Sequence, residues 1–241
     1  MKIPFAFPES LTSFFMRHRH IVPFLFAFML WCWPFLGFLR GHLAIQDDAV
    51  SYYDHIKFFI DNMLRGVFPL WDPVWFYGLP NDFFLRRLNP YNPFYFSLLI
   101  LRVAGVPHYQ AYMFFLVSYF FLGAIGFYRC ARILFKDRLT AFLAFLLLLF
   151  SSIGTRIFDS YMVLLVTPTL WFYYFLLAFA QKQKPKHALG FTFCLMLLLN
   201  TYLPFYFLII FLCLVIIFFL THPNGAWVFI KKCARFFRDR P

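Results

Sequence analysis

The sequence predicts an all-α transmembrane protein with about six spanning helices. An interfacial amphipathic helix and a short non-crossing helix are expected in or after a long first external loop. Three observations carry this prediction. The 241 residues are 63% hydrophobic, and the mean hydropathy is +0.72, far above that of a water-soluble domain. Apolar runs of near-spanning length recur along the chain. Basic residues gather between those runs, whereas most acids sit in one loop.

Residues 1–20 form a basic N-terminal segment containing Lys2, Arg17 and Arg19. The first apolar run, 21–39, follows. Trp33-Pro34 and Phe38 stand where a small-residue cleavage site would be needed, so the run reads as a retained anchor. Residues 40–92 form the polar loop, which holds the candidate active site. Residues 93–220 form a helical membrane bundle, and 221–241 a basic, cytoplasmic tail. Within the bundle, apolar runs cover about 109–134, 139–153, 161–180, 188–202 and 205–220. A span needs about 20 residues at 1.5 Å each. The run 93–106 is too short and carries Arg102, so it reads as interfacial or re-entrant.

Charge parity decides whether that run crosses. Arg17 and Arg19 place the N-terminus inside. If 93–106 does not cross, Arg129/Arg132/Lys136/Arg138, Lys182/Lys184/Lys186 and Lys231/Lys232/Arg235/Arg238/Arg240 also fall inside. If it crosses, all three fall outside, against the positive-inside rule. Both termini are therefore expected in the cytoplasm. The net charge of +12 serves topology, and no nucleic-acid partner is expected. Four of the five cysteines lie in apolar segments and no CxxC pair exists. Neither a disulfide framework nor a thiolate metal site is indicated.

The polar loop holds Asp47, Asp48, Asp54, Asp61, Asp72 and Asp82. Acids contribute little to topology, so this enrichment has another cause, solvation or function. Tyr52, Ile56, Phe59, Ile60, Met63 and Val67 recur at helical spacing, with Asp54, Lys57, Asp61 and Arg65 opposite. This predicts an amphipathic helix in the outer interface with a solvated charged face. The stretch from Phe68 to Asp82 is rich in turn formers, and Trp71, Trp75 and Tyr77 suit headgroup depth. Pro93 suits a first helical turn.

Asp47 and Asp48 stand where an N-cap belongs, and a cap is one reading of them. The other is a general base for an attacking hydroxyl, with capacity to help hold a divalent cation. Arg86 and Arg87 present planar donor forks that suit a phosphate, either on a substrate or on lipid headgroups. Asp82 lies four residues before Arg86. Arg156 and Asp159, in a short external loop, either pair locally or complete a polar pocket with the large loop. No HExxH, Walker, GxSxG or GxGxxG pattern is present, which argues against metalloprotease, nucleotide-driven and serine-hydrolase chemistry.

The stretches Gln46-Asp-Asp-Ala-Val-Ser-Tyr-Tyr53, Gly66-Val-Phe-Pro-Leu-Trp-Asp-Pro73, Gly78-Leu-Pro80 and Leu88-Asn-Pro-Tyr-Asn-Pro-Phe-Tyr-Phe96 carry a resemblance. With the anchor helix before them, they resemble the GT-C class of polytopic glycosyltransferases, in its bacterial YfhO-like branch. The resemblance implies a first external loop packed on the bundle and framing the active site. It implies a polyprenyl-phosphate sugar donor, transfer outside the cytoplasm and residence in the bacterial inner membrane. The family's loop acid maps to Asp47 or Asp48, with Asp47 as base and Asp48 as supporting acid or metal ligand. Arg86 and Arg87 would grip the donor phosphate, and Trp71 and Tyr77 would stack on the sugar. Members of the class carry more spans. The alternative expectation is therefore an incomplete piece of such an enzyme, or a non-catalytic lipid-binding or assembly subunit working with a partner membrane protein.

Overall fold

The computed structural model describes residues 21–40, 42, 48–73, 78–80, 92–155, 162–201, 204–221 and 223–238. The described chain is almost entirely helical. Helix α1 (Val22–Cys32) continues as a 3-10 helix through Trp33–Arg40. The change of winding falls at Trp33-Pro34, where proline removes a backbone donor. Helix α2 (Asp48–Leu64) is the amphipathic helix of the polar loop. A minimal antiparallel ladder follows, β1 (Trp71–Asp72) with β2 (Leu79–Pro80), pairing Trp71 with Pro80 and Asp72 with Leu79. Then come α3 (Tyr95–Val103), α4 (His108–Phe135), α5 (Arg138–Phe150), the single turn α6 (Ser152–Thr155), α7 (Met162–Lys182), α8 (Pro185–Leu199), α9 (Pro204–Thr221) and α10 (Pro223–Arg238).

Two helices, α4 and α7, are long and apolar enough to cross a membrane. At 1.5 Å per residue α4 measures roughly 42 Å and α7 roughly 31 Å, against a hydrocarbon thickness of about 30 Å. Helix α3 has 9 residues, only about 13 Å, and is far too short to cross. It begins two residues after Pro93, because the Asn92 side chain caps the turn by accepting from the Phe94 N–H at 3.1 Å. At the start of α5, the Asp137 carboxylate accepts from both the N–H and the hydroxyl of Thr140, each at 2.7 Å. These bonds hold the Asp137 carboxyl below its ordinary pKa.

Helices α4 and α7 form the centre and run parallel. Thr167 on α7 donates to the Tyr119 carbonyl at 2.8 Å, and Trp171 donates to the Leu122 carbonyl at 2.9 Å. Gly123 and Gly126 on α4 make this approach possible. A Cβ at Gly123 would stand 2.9 Å from the Thr167 backbone, and one at Gly126 would stand 2.9 Å from the Trp171 ring. Small residues that admit a neighbouring backbone, together with interhelical hydrogen bonds, are how helices associate where water is absent.

The other rods alternate around this pair. Phe24, Phe28 and Trp31 of α1 meet Tyr128, Phe121 and Phe120 of α4 in turn, so α1 is antiparallel to α4. Phe121 and Tyr128 both meet Phe145 of α5, which returns from α4 through a two-residue link. The Trp31 indole donates to the Gly154 carbonyl at 2.9 Å, tying the end of α1 to α6. Phe172 of α7 contacts Phe191 of α8 and Phe207 and Phe211 of α9.

Alternation carries a consequence for charge. Arg129, Arg132, Lys136, Arg138, Lys182, Lys184 and Lys186 all come to one end of the bundle. The opposite end carries α2, the β-ladder and α3. The exterior is apolar: Leu25, Met29, Leu143, Leu147, Leu189, Ile210 and Ile217 are each more than half exposed. A surface of that kind suits hydrocarbon and not water.

Substituting Gly123→Ala tests the central approach. Helix propensity alone would favour alanine by about 1 kcal/mol. Overpacking against backbone outweighs that, and the variant is expected to lose about 1–3 kcal/mol, read by denaturant unfolding in detergent. A neutral or stabilised variant would mean that α4 and α7 stand further apart.

Candidate functional site

The polar end of the bundle is built on the start of α4. Tyr53 of α2 packs edge-on against His108 and Tyr112 of α4, at 5.1 and 5.2 Å between centroids. Burial first, and then the neighbouring Asp54 carboxylate, push the Tyr53 phenol above its ordinary pKa. Phe59 of α2 rests on Tyr95 of α3, and Tyr95 rests on Phe115 of α4. The buried Asn92 amide donates to the Tyr119 hydroxyl at 3.2 Å. The apolar side of α2 (Tyr52, Ile56, Phe59, Ile60) is thus buried, as its spacing predicts, and its charged side faces away.

One ion pair joins that charged side to α3. Arg102 Nη2 lies 3.8 Å from Asp61 Oδ1, with the side chains 26% and 34% exposed respectively. Arg102 Nη1 also donates to the Val106 carbonyl at 2.9 Å. At this exposure and distance the pair stabilises by about 0.2–1 kcal/mol and chiefly fixes orientation. Asp54, Lys57 and Arg65 are exposed, as expected of a solvated face. Asp61 departs from that expectation, because Arg102 holds it half-buried.

The charged side of α2 and the β-ladder together line an open cleft of about 550 Å³, formed by Asp54, Lys57, Phe58, Asp61, Asn62, Arg65, Trp71 and Pro73. Trp71 forms one wall, and Gly78 accounts for its position. Gly78 has φ +106°, and a Cβ there would meet the Trp71 ring at 2.5 Å. Only glycine accepts both the backbone conformation and the contact. Asp72, next to Trp71, is buried.

Of the residues nominated by sequence, Trp71 lines this cleft, and Asp48 is the first residue of α2. Asp47, Tyr77, Asp82, Arg86, Arg87, Arg156 and Asp159 lie outside the described residues. The sequence reading assigned Asp54, Lys57, Asp61 and Arg65 to solvation. Their spacing of three, four and four residues on one helix face, followed by a Trp-Asp-Pro turn, is the signal that could have marked them as a cleft wall. Sequence gave no sign that His108 would be buried with neither ring nitrogen partnered among the described residues. Nor does any group of three or more His, Cys, Asp or Glu side chains converge to hold a metal ion among the described residues.

The chemistry available in the cleft is mixed. Lys57 and Arg65 can donate to phosphate oxygens, Asp54 and Asp61 can accept from hydroxyls, and the Trp71 indole offers an apolar face. No family model, curated protein or solved structure matches the chain.

Replacing Gly78 with Ala is expected to push the Trp71 indole out of the cleft wall, at a local cost of about 1–3 kcal/mol. In 5-fluorotryptophan-labelled protein the Trp71 resonance should move while those of Trp31 and Trp171 stay in place. An unmoved Trp71 signal would show that the indole does not rest on Gly78.

Proposed function

We propose that this protein is a membrane-embedded glycosyltransferase acting at the α2 end of the bundle. It moves a sugar from a polyprenyl-phosphate donor to an acceptor hydroxyl. The observation that carries this reading is the cleft of about 550 Å³ in which two cations, two carboxylates and an indole stand together, at one end of a helix bundle with an apolar exterior. The cleft is flanked in sequence by the stretches that resemble the GT-C class. A lipid-linked sugar carries one anionic phosphate, several hydroxyls and a long apolar tail, and a site of this composition meets all three.

In this reading the acceptor O–H loses its proton to a carboxylate, Asp47 by the resemblance, with Asp48 in support. The acceptor oxygen bonds to the anomeric carbon as the carbon–oxygen bond to phosphate breaks. The electron pair leaves on the phosphate, held by Arg86 and Arg87 with Lys57 and Arg65. Attack opposite the phosphate inverts the anomeric carbon. Trp71 and Tyr77 stack on the sugar, and Asp82, Arg156 and Asp159 are taken as further substrate-binding groups. With the basic clusters inside, α1, α4, α5, α7, α8 and α9 are the six spans. Both termini are then cytoplasmic, and transfer takes place on the outer face of a bacterial inner membrane.

Transfer from labelled polyprenyl-phosphate hexoses tests the reading directly. Wild type should transfer, and Asp47→Asn or Asp48→Asn should lose about 10²–10⁴-fold in kcat at equal folded yield. Lys57→Gln with Arg65→Gln should chiefly raise KM for the donor. Absence of transfer by folded wild type across several donors would turn the reading to a non-catalytic lipid-binding or assembly subunit.

Topology has its own test. In a background lacking the native cysteines, Lys57→Cys should react with an impermeant maleimide in intact cells, and Lys184→Cys only after permeabilisation. The reverse pattern would put the cleft in the cytoplasm and sink an external reaction.

A further inference from the structure

The C-terminal segment, expected from its charge to be a plain basic tail, is helix α10. It begins two residues after α9 ends at Thr221. Its Phe229 and Ile230 rest on the flanks of α7 and α9, where they share an apolar groove with Ala180 and Phe219. Ala180 stands two residues from the end of α7, and Phe219 two residues from the end of α9. Helix α10 therefore lies at the cationic end of the bundle. Because it covers flanks and not tips, its opposite side looks out to whatever surrounds the bundle.

That opposite side has a definite composition. Trp227, Lys231 and Arg235 follow one another at i, i+4 and i+8 and form a row along it. Trp227 is 59% exposed, and Lys231 and Arg235 are exposed. The recess that Lys231 and Arg235 line with Ala234 contains none of the groove residues, as the two sides of one amphipathic helix require. The sequence has no Asp or Glu between Asp159 and Asp239. A solvated tail gives a reason for lysine and arginine but none for an indole held outward. An indole in line with two cations, at the edge of a hydrocarbon-facing bundle, is the complement of lipid headgroups: the ring suits headgroup depth and the cations suit the phosphates.

We propose that α10 is an interfacial helix that seats its Trp227–Lys231–Arg235 row on the headgroups of an anionic leaflet. Phe229 and Ile230 hold its other side on the bundle, and no lipid enters the groove. The proposal rests on α7 and α9 spanning the bilayer and is independent of sugar transfer at the cleft.

The test is hydrogen–deuterium exchange of the full chain in nanodiscs of palmitoyl-oleoyl phosphatidylglycerol and of the matching phosphatidylcholine. Amides of 223–238 should exchange on the order of 30-fold more slowly in phosphatidylglycerol, through the two cations. Lys231→Gln with Arg235→Gln should remove that difference. The comparison of lipids is made on wild type, so it decides the matter even where the charge variant does not fold. In 5-fluorotryptophan-labelled protein, with Trp227→Phe for assignment, lipid spin-labelled at the headgroup should broaden the Trp227 resonance. Equal exchange of α10 in the two discs, or a Trp227 resonance untouched by the headgroup label, would overturn the proposal and leave the spans standing. Solvent-like exchange across 207–221 would overturn the span reading and the proposal together.

Discussion

The parallel approach of α4 to α7 constrains everything else in the fold. Two parallel helices close in sequence need a return path between them, and α5 with α6 provides it. That return makes the rods alternate, and alternation determines which loops share an end. The approach itself rests on two glycines and two hydrogen bonds, Thr167 to Tyr119 and Trp171 to Leu122. In hydrocarbon there is no water to squeeze out between helices, so packing and interhelical hydrogen bonds supply the association. A Thr167 hydroxyl without an acceptor there would carry a desolvation cost, which makes the register specific as well as close.

The polar end depends on this frame through a short chain of contacts. Tyr119 both receives Thr167 at its carbonyl and accepts the Asn92 amide at its hydroxyl. Asn92 in turn caps the turn that starts α3. Helix α3 then presents Arg102 to Asp61 on α2. The contacts thus run in sequence from the α4–α7 seam to the wall of the cleft. The last link is weak on its own, because the pair is partly solvated. Its value is geometric: burial of Tyr52, Ile56, Phe59 and Ile60 turns the charged face of α2 outward, and the pair holds Asp61 of that face toward α3.

Much of this was legible in the sequence, and the reason is physical. Apolar runs end where the surroundings change polarity, so the run predicted at 109–134 is helix His108–Phe135, and that at 21–39 is the helical stretch Val22–Arg40. The buried face of α2 followed from its spacing. Features that depend on partners distant in sequence were not legible. Nothing near Gly123 says that Thr167 will lie over it, and nothing near Asp61 says that Arg102 will reach it. The two-residue ladder beside Trp71 is too short to leave a periodic signal. The C-terminal cations masked a helix, because a basic run reads as a solvated tail until the alternation of Phe229 and Ile230 with Lys231 and Arg235 is placed on a helical wheel. The Asp47–Asp48 pair falls at the edge of the described residues, with only the start of α2 at Asp48 in view.

The distribution of charge separates the two ends by the ligands they suit. The chain has 22 Lys and Arg against 10 Asp and Glu, yet the cleft mixes Asp54 and Asp61 with Lys57 and Arg65. Balanced charge there gives little long-range pull on anions, and its donors and acceptors act at hydrogen-bond range. At the other end cations predominate among the described residues, and Asp137 caps α5. Unbalanced positive charge acts over about a Debye length and favours any anionic surface, each Lys or Arg adding about 1 kcal/mol near such a surface. The two ends thus differ in how far their charges reach, the mixed cleft acting at hydrogen-bond range and the cationic end over about a Debye length.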